Sequence, residues 1–130
     1  GLIAGALTDV AGSSDVFERG FVTYSNAAKR EMLGVRAETL EAYGAVSQQV
    51  AREMAEGALR HSAAGMAVSV TGIAGPGGSK FKPEGRVCFG LAMRGRETLV
   101  ETVEFGALGR AGVRRATVEH ALEMMMRALV

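Results

Sequence analysis

The sequence predicts an α/β fold, a three-layer α/β/α sandwich with a mixed sheet, built from all 130 residues as a single domain. Three observations predict it. Segments with apolar residues at helical spacing are interleaved with short runs of β-branched and aromatic residues, the pattern of helices laid on a sheet. Two late runs, 87–93 and 99–105, flank the turn sequence Arg94-Gly95-Arg96 and read as a hairpin, so antiparallel pairing joins the crossover pairing. A chain of 130 residues can bury one sizeable core but not two.

Each element has its own signal. Leu2, Ile3, Ala6, Leu7 and Val10 recur at helical spacing and predict a first helix that stops near Gly12-Ser13-Ser14-Asp15. Phe21-Val22-Thr23-Tyr24 is rich in β-formers and reads as a strand. Ser25 or Asn26 then caps a helix closed by Gly34, and a short helix over Ala37 to Tyr43 closes on Gly44. Ser47 caps the next helix, where Val50, Met54 and Ala58 share one face and Arg52, Glu53, Glu56 and Arg60 the other. Met66 to Thr71 is an apolar strand that runs into Gly72-Ile73-Ala74-Gly75-Pro76-Gly77-Gly78. After the hairpin and a loose connection over Gly106 to Gly112, a last helix buries Val118, Ala121, Leu122, Met125 and Leu129. Of Met124, Met125 and Met126, the pattern predicts core filling with one exposed methionine.

Composition removes several function classes. Hydrophobic residues at 48% argue for a folded core, and with aromatics at 5% and no Trp the core falls to Ala, Val, Leu and seven Met. Lys and Arg number 15 against 14 Asp and Glu, so no basic footprint points to nucleic acid. No apolar run approaches the roughly 20 residues of a membrane helix. GLIAGAL is too short and uncharged for a secretory signal. One cysteine, Cys88, cannot form an intrachain disulfide, and a reducing cytoplasmic setting is expected. His61 and His120 have no partner at metal-ligand spacing, so no metal is expected. The chain opens on Gly1 rather than Met, so loss or omission of preceding residues is expected.

Two stretches carry candidate chemistry. A strand that ends in glycines can present backbone N–H groups to an anion, and Lys80, Lys82 and Arg86 follow close behind. A phosphate-bearing ligand and a plain surface loop fit that composition equally well, and the spacing matches neither a P-loop nor GxGxxG. In the second stretch, Lys29 lies on the first turn after Tyr24-Ser25-Asn26. A helix N-terminus disfavours a cation, which lowers a lysine's pKa and suits it to act as a general base toward a hydroxyl. On the residues alone, a solvated surface lysine is the commoner outcome. Arg110, Arg114 and Arg115 open the last helix, where cations are electrostatically disfavoured.

Taken together these stretches resemble the CinA C-terminal domain family, whose enzymatic members are nicotinamide-nucleotide amidases. The resemblance runs over nearly the whole chain and is carried by GLIAGALTDVAGSS at Gly1 to Ser14, FERGFVTYSNAAK at Phe17 to Lys29, ETLEAYGAVS at Glu38 to Ser47 and VTGIAGPGG at Val70 to Gly78. It implies hydrolysis of the carboxamide of nicotinamide mononucleotide to nicotinate mononucleotide and ammonia, without metal or cofactor. It further implies a Ser nucleophile in a Glu-Ser-Cys-Thr-Gly-Gly motif whose last residue is Gly1, with Lys29 as base and Tyr24 and Ser14 lining the reacting centre. Thr71, Gly72 and Gly75 match the substrate loop, and Arg114 matches a substrate-binding arginine, with the register around Arg110 and Arg114 open by one residue. Glu84 and Arg86 depart from the family, which more often has Val and Thr there. A chain this small is expected to pair as a homodimer. The alternative is a non-catalytic nucleotide-binding or regulatory module, since this domain also occurs fused to a competence-associated one.

Overall fold

The computed structural model describes residues 1–79 and 81–130. Lys80, one of the cations expected beside the Gly-rich loop, lies outside the described residues. The helices are α1 (Leu2–Thr8), α2 (Asn26–Leu33), α3 (Ala37–Tyr43), α4 (Gln48–Arg60) and α5 (Gly109–Leu129), with a 3-10 turn at Ser13–Asp15. The strands are β1 (Met66–Gly72), β2 (Arg86–Met93) and β3 (Leu99–Glu104), hydrogen-bonded in the order β1-β2-β3.

The expected punctuation holds. Ser25 Oγ accepts from Ala28 N at 3.0 Å and Ser47 Oγ accepts from Val50 N at 3.2 Å, each satisfying an amide that the helix itself cannot. Gly34 ends α2 in the left-handed region at φ 73°, where a Cβ would be strained. α5 begins earlier than expected, at Gly109, so Arg110 lies in its first turn. One methionine is exposed as expected, Met126, but the buried one is Met124 rather than the Met125 of the expected stripe, and Leu129 at the end of that stripe is exposed.

The α/β class and the layering are as expected. Val87, Phe89 and Leu91 of β2 pack with Val113, Ala121 and Met124 of α5 and with Ile3 of α1. On the opposite face Ser69 Oγ donates to Ala51 O of α4 at 2.6 Å, and α4 joins α2 through Leu33, Val35, Val50 and Met54. The sheet differs from the mixed one expected. Both described pairings are antiparallel, Met66 opposite Met93 and Arg86 opposite Glu104 at their ends. Residues 21–24 are not a strand. Their side chains alternate as in one, Phe21 and Thr23 inward, Val22 and Tyr24 outward, but no described strand supplies a ladder. β-propensity sets how a segment fits a half-buried surface; a ladder also needs a neighbour.

The Gly-rich loop is therefore the connection between adjacent antiparallel strands. Ile73 N donates to Arg86 O at 2.9 Å and Gly85 N donates to Ile73 O at 2.8 Å, which closes the loop at its base.

Candidate functional site

Lys29 sits one turn into α2, where the chain has just left its extended approach. A helical side chain leans back toward the N-terminus, and this one reaches the incoming chain. Its Nζ donates to Thr23 O at 3.1 Å and to Tyr24 O at 3.4 Å. The residue is 6% exposed, and burial lowers the amine's pKa below the ordinary lysine value. The direction is the one expected from sequence; burial, rather than the helix terminus, is the cause. A neutral amine has two hydrogens, which these two carbonyls can take, leaving one lone pair. That lone pair can accept a proton from a hydroxyl nucleophile.

The other residues expected at the reacting centre are placed less closely. Tyr24 shares in the lysine's cradle through its carbonyl, while the residue is 84% exposed. Ser14 lies exposed on the 3-10 turn. Among the described residues no hydrogen bond links it to Lys29 or Tyr24.

The residues expected at a substrate loop divide by the contacts they already make. Strand alternation puts Thr71 on the same side as Ser69, facing α4, and its Oγ1 donates to Ala45 O at 2.9 Å. Gly72 is the last residue of β1, and a Cβ there would lie 2.7 Å from Val87 Cγ2. Gly75 has φ 90°, and the Gly75–Pro76 peptide is cis. A Cβ on Gly75 would fall 2.6 Å from Cδ of Glu84. Glu84 Oε1 accepts from Gly77 N at 2.6 Å, so one loop amide expected to face a ligand is already taken. Glu84 Oε2 accepts from Gly109 N at 3.0 Å.

The cations near the loop also have places. Arg110 Nη1 donates to Gly75 O at 3.0 Å, which makes Arg110 the arginine in contact with the loop; Arg114 follows one turn later, exposed. Lys82 Nζ donates to Tyr43 O at 2.8 Å and to Val46 O, pinning the connection from α3 to α4. Arg86 pairs with Glu104 directly across the strands through two bonds of 2.7 and 3.2 Å. The pairing raises the arginine pKa and lowers that of the carboxyl. Lys82 and Arg86 border a groove of about 430 Å³ with Tyr43 and Thr102. That groove contains neither Lys29 nor the glycines of the loop. Among the described residues no group of three or more His, Cys, Asp or Glu is placed to hold a metal ion, and no helix is long and apolar enough to cross a membrane.

Sequence reasoning missed Glu84 as a member of this constellation. Its partners Gly77 and Gly109 lie on a loop and on a helix start, and no local spacing signals the contact.

A family model described as CinA C-terminal domain matches residues 1–129. Nicotinamide-nucleotide amidohydrolase PncC of Enterobacter agglomerans is 53% identical, across 100% of this chain and 79% of that protein. The CinA-like protein of Chlorobium phaeobacteroides (strain BS1) is 56% identical over 99% of this chain, which spans only 32% of that longer relative. Among solved structures, the competence/damage inducible protein CihA from Agrobacterium tumefaciens superposes with a TM-score of 0.95 at 56% identity, covering 98% of this chain and 78% of that one. A CinA superfamily protein from Escherichia coli superposes with a TM-score of 0.93 at 33% identity, covering 98% of this chain and 74% of that one.

Proposed function

We propose that this chain, which belongs to the CinA C-terminal domain family, hydrolyses the carboxamide of nicotinamide mononucleotide to nicotinate mononucleotide and ammonia. The observation that carries the reading is the buried Lys29 amine, held by two carbonyls and lowered in pKa. The named activity of the PncC relative supports the substrate.

The chemistry then divides among groups. Lys29 takes the proton of a serine hydroxyl as that oxygen attacks the carboxamide carbon. The nucleophile in this reading is the serine of a Glu-Ser-Cys-Thr-Gly-Gly motif that ends at Gly1. The tetrahedral intermediate needs a donor for its oxyanion, and the Tyr24 hydroxyl, the Ser14 hydroxyl and loop amides other than that of Gly77 are the candidates. Lys29 returns the proton to the departing nitrogen, ammonia leaves, and water then releases nicotinate mononucleotide from the acyl-serine. The Gly72 to Gly75 backbone borders the substrate, with Thr71 holding its wall in place through Ala45. Arg114, with Arg110 beside it, meets the phosphate through charge-assisted bonds.

A second reading, a non-catalytic nucleotide-binding module, has one observation in its favour. The chain spans only about a third of the CinA-like relative, so there the domain is one part of a longer protein. One experiment separates the two. Ammonia release from nicotinamide mononucleotide is measured for the chain itself and for a form with the Glu-Ser-Cys-Thr-Gly sequence placed ahead of Gly1. Release by the extended form alone supports the amidase and its serine. Silence from both forms, with nucleotide still bound, refutes the amidase reading in favour of the module.

A further inference from the structure

The geometry points to Glu84 as the positioning residue that fixes the Gly-rich loop against the first turn of α5, and through it the spacing between that loop and the arginines that take a nucleotide phosphate. This deepens the amidase reading and rests on it.

A segment of glycines has many accessible backbone conformations, so a defined shape must be imposed on it. Locally the loop is tied at Ile73 to Arg86 and Gly85, and at Ser79 to Lys82, where Ser79 N donates to Lys82 O at 2.9 Å. Between those ties, residues 74–78 hydrogen-bond outward to Glu84 and Arg110. The Glu84 carboxylate takes Gly77 N with one oxygen and Gly109 N with the other, at 2.6 and 3.0 Å. Arg110 adds a bond in the opposite sense, from its guanidinium to Gly75 O at 3.0 Å. The carboxylate also fills the space over Gly75, where a Cβ would come within 2.9 Å of Glu84 Oε1. Loop, carboxylate and helix start thus interlock at three backbone positions, Gly75, Gly77 and Gly109.

The electrostatics favour the same arrangement. Gly109 N belongs to the first turn of α5, whose amides have no partner within the helix, and a carboxylate there is favoured by the helix dipole. The carboxylate therefore supplies negative charge at a terminus that also carries Arg110 and, one turn on, Arg114. Two amides that would otherwise draw an anionic ligand are occupied. The ligand's phosphate is left to the arginine side chains, and their distance from the loop is the one Glu84 sets.

The test uses Glu84→Val and Glu84→Gln. Valine removes both acceptor oxygens. Glutamine keeps one, because its amide nitrogen cannot accept. In the form that turns over nicotinamide mononucleotide, the valine variant should raise KM by about tenfold while kcat stays within about threefold. Glutamine should fall between valine and wild type. Amide hydrogen exchange supplies a readout independent of turnover. Exchange at Gly77 and Gly109 should accelerate by about tenfold in Glu84→Val, with Phe89 and Leu91 in the sheet unchanged. Unaltered protection at both glycines would overturn the interlock. Lost protection with an unchanged KM would overturn its role in spacing the phosphate site. If no form releases ammonia, the amidase reading fails by itself, and the exchange measurement still decides the interlock.

Discussion

At the scale of single residues, Lys29 makes the sharpest predictions. Its pKa is lowered in the folded state, by burial. Between the folded value and the ordinary lysine value, the unfolded chain binds more protons than the folded one, so stability rises with pH across that window and levels off above it. Replacing Lys29 with Met removes the titration. The difference in unfolding midpoint between wild type and Lys29→Met should shift in favour of wild type as pH rises through the window, and a flat difference would refute the lowered pKa. In the catalytic reading, kcat/KM rises with pH along a limb set by Lys29, placed below the ordinary lysine value. Lys29→Met should abolish ammonia release. The Arg86–Glu104 pair is of another kind. It lies on the surface, so salt screens it and its removal should be mild.

At the scale of elements, α4 is the common wall. Gly57 lets it approach α2 so closely that a Cβ there would lie 1.9 Å from Leu33 O. A backbone atom cannot swing aside as a side chain does. Gly57→Ala should therefore destabilise by about 3 kcal/mol, despite alanine's better helix propensity, as read from urea midpoints. Local punctuation was legible in the sequence at this scale, since Ser25, Ser47, Gly34 and Gly44 act through bonds a few residues away. Pairing was legible where a tight turn joins the strands, as in the β2–β3 hairpin, and not elsewhere. The alternation at Phe21 to Tyr24 is real, but a strand is defined by its neighbour, and the residues themselves do not encode one. Thr71 was expected at the substrate loop, while the bond of its hydroxyl to Ala45 O, in the connection from α3 to α4, joins residues too far apart in sequence to be read there. The arginine in contact with the loop depends on where α5 starts, and three glycines between 106 and 112 left that start open to sequence reasoning.

At the scale of the molecule, the two hydrophobic clusters lie on opposite faces of one small sheet and are bridged by polar ties. Arg52 Nη1 donates to Thr98 O at 3.3 Å, Thr98 Oγ1 donates to Glu56 Oε2 at 2.7 Å, and Gln48 Nε2 donates to Thr102 Oγ1 at 3.0 Å, all from or to α4. On the other face His120 of α5 hydrogen-bonds Glu101 and lies against Phe89, with ring centroids 4.5 Å apart. Neither face can open without exposing the sheet, so the domain should unfold in one step. Calorimetric and van't Hoff enthalpies should agree, and two resolved heat transitions would break the single-domain picture. The Gly-rich loop adds a consequence for how such proteins can diverge. As a hairpin connection closed at its base, it can gain residues while β1 and β2 keep their register, and closure entropy rises by only about 0.6 kcal/mol for each doubling of length. Added length thereby costs the fold little, and its effect falls on the Gly75, Gly77 and Gly109 contacts rather than on the sheet or on the Lys29 cradle of α2, which among the described residues shares no hydrogen bond with the loop.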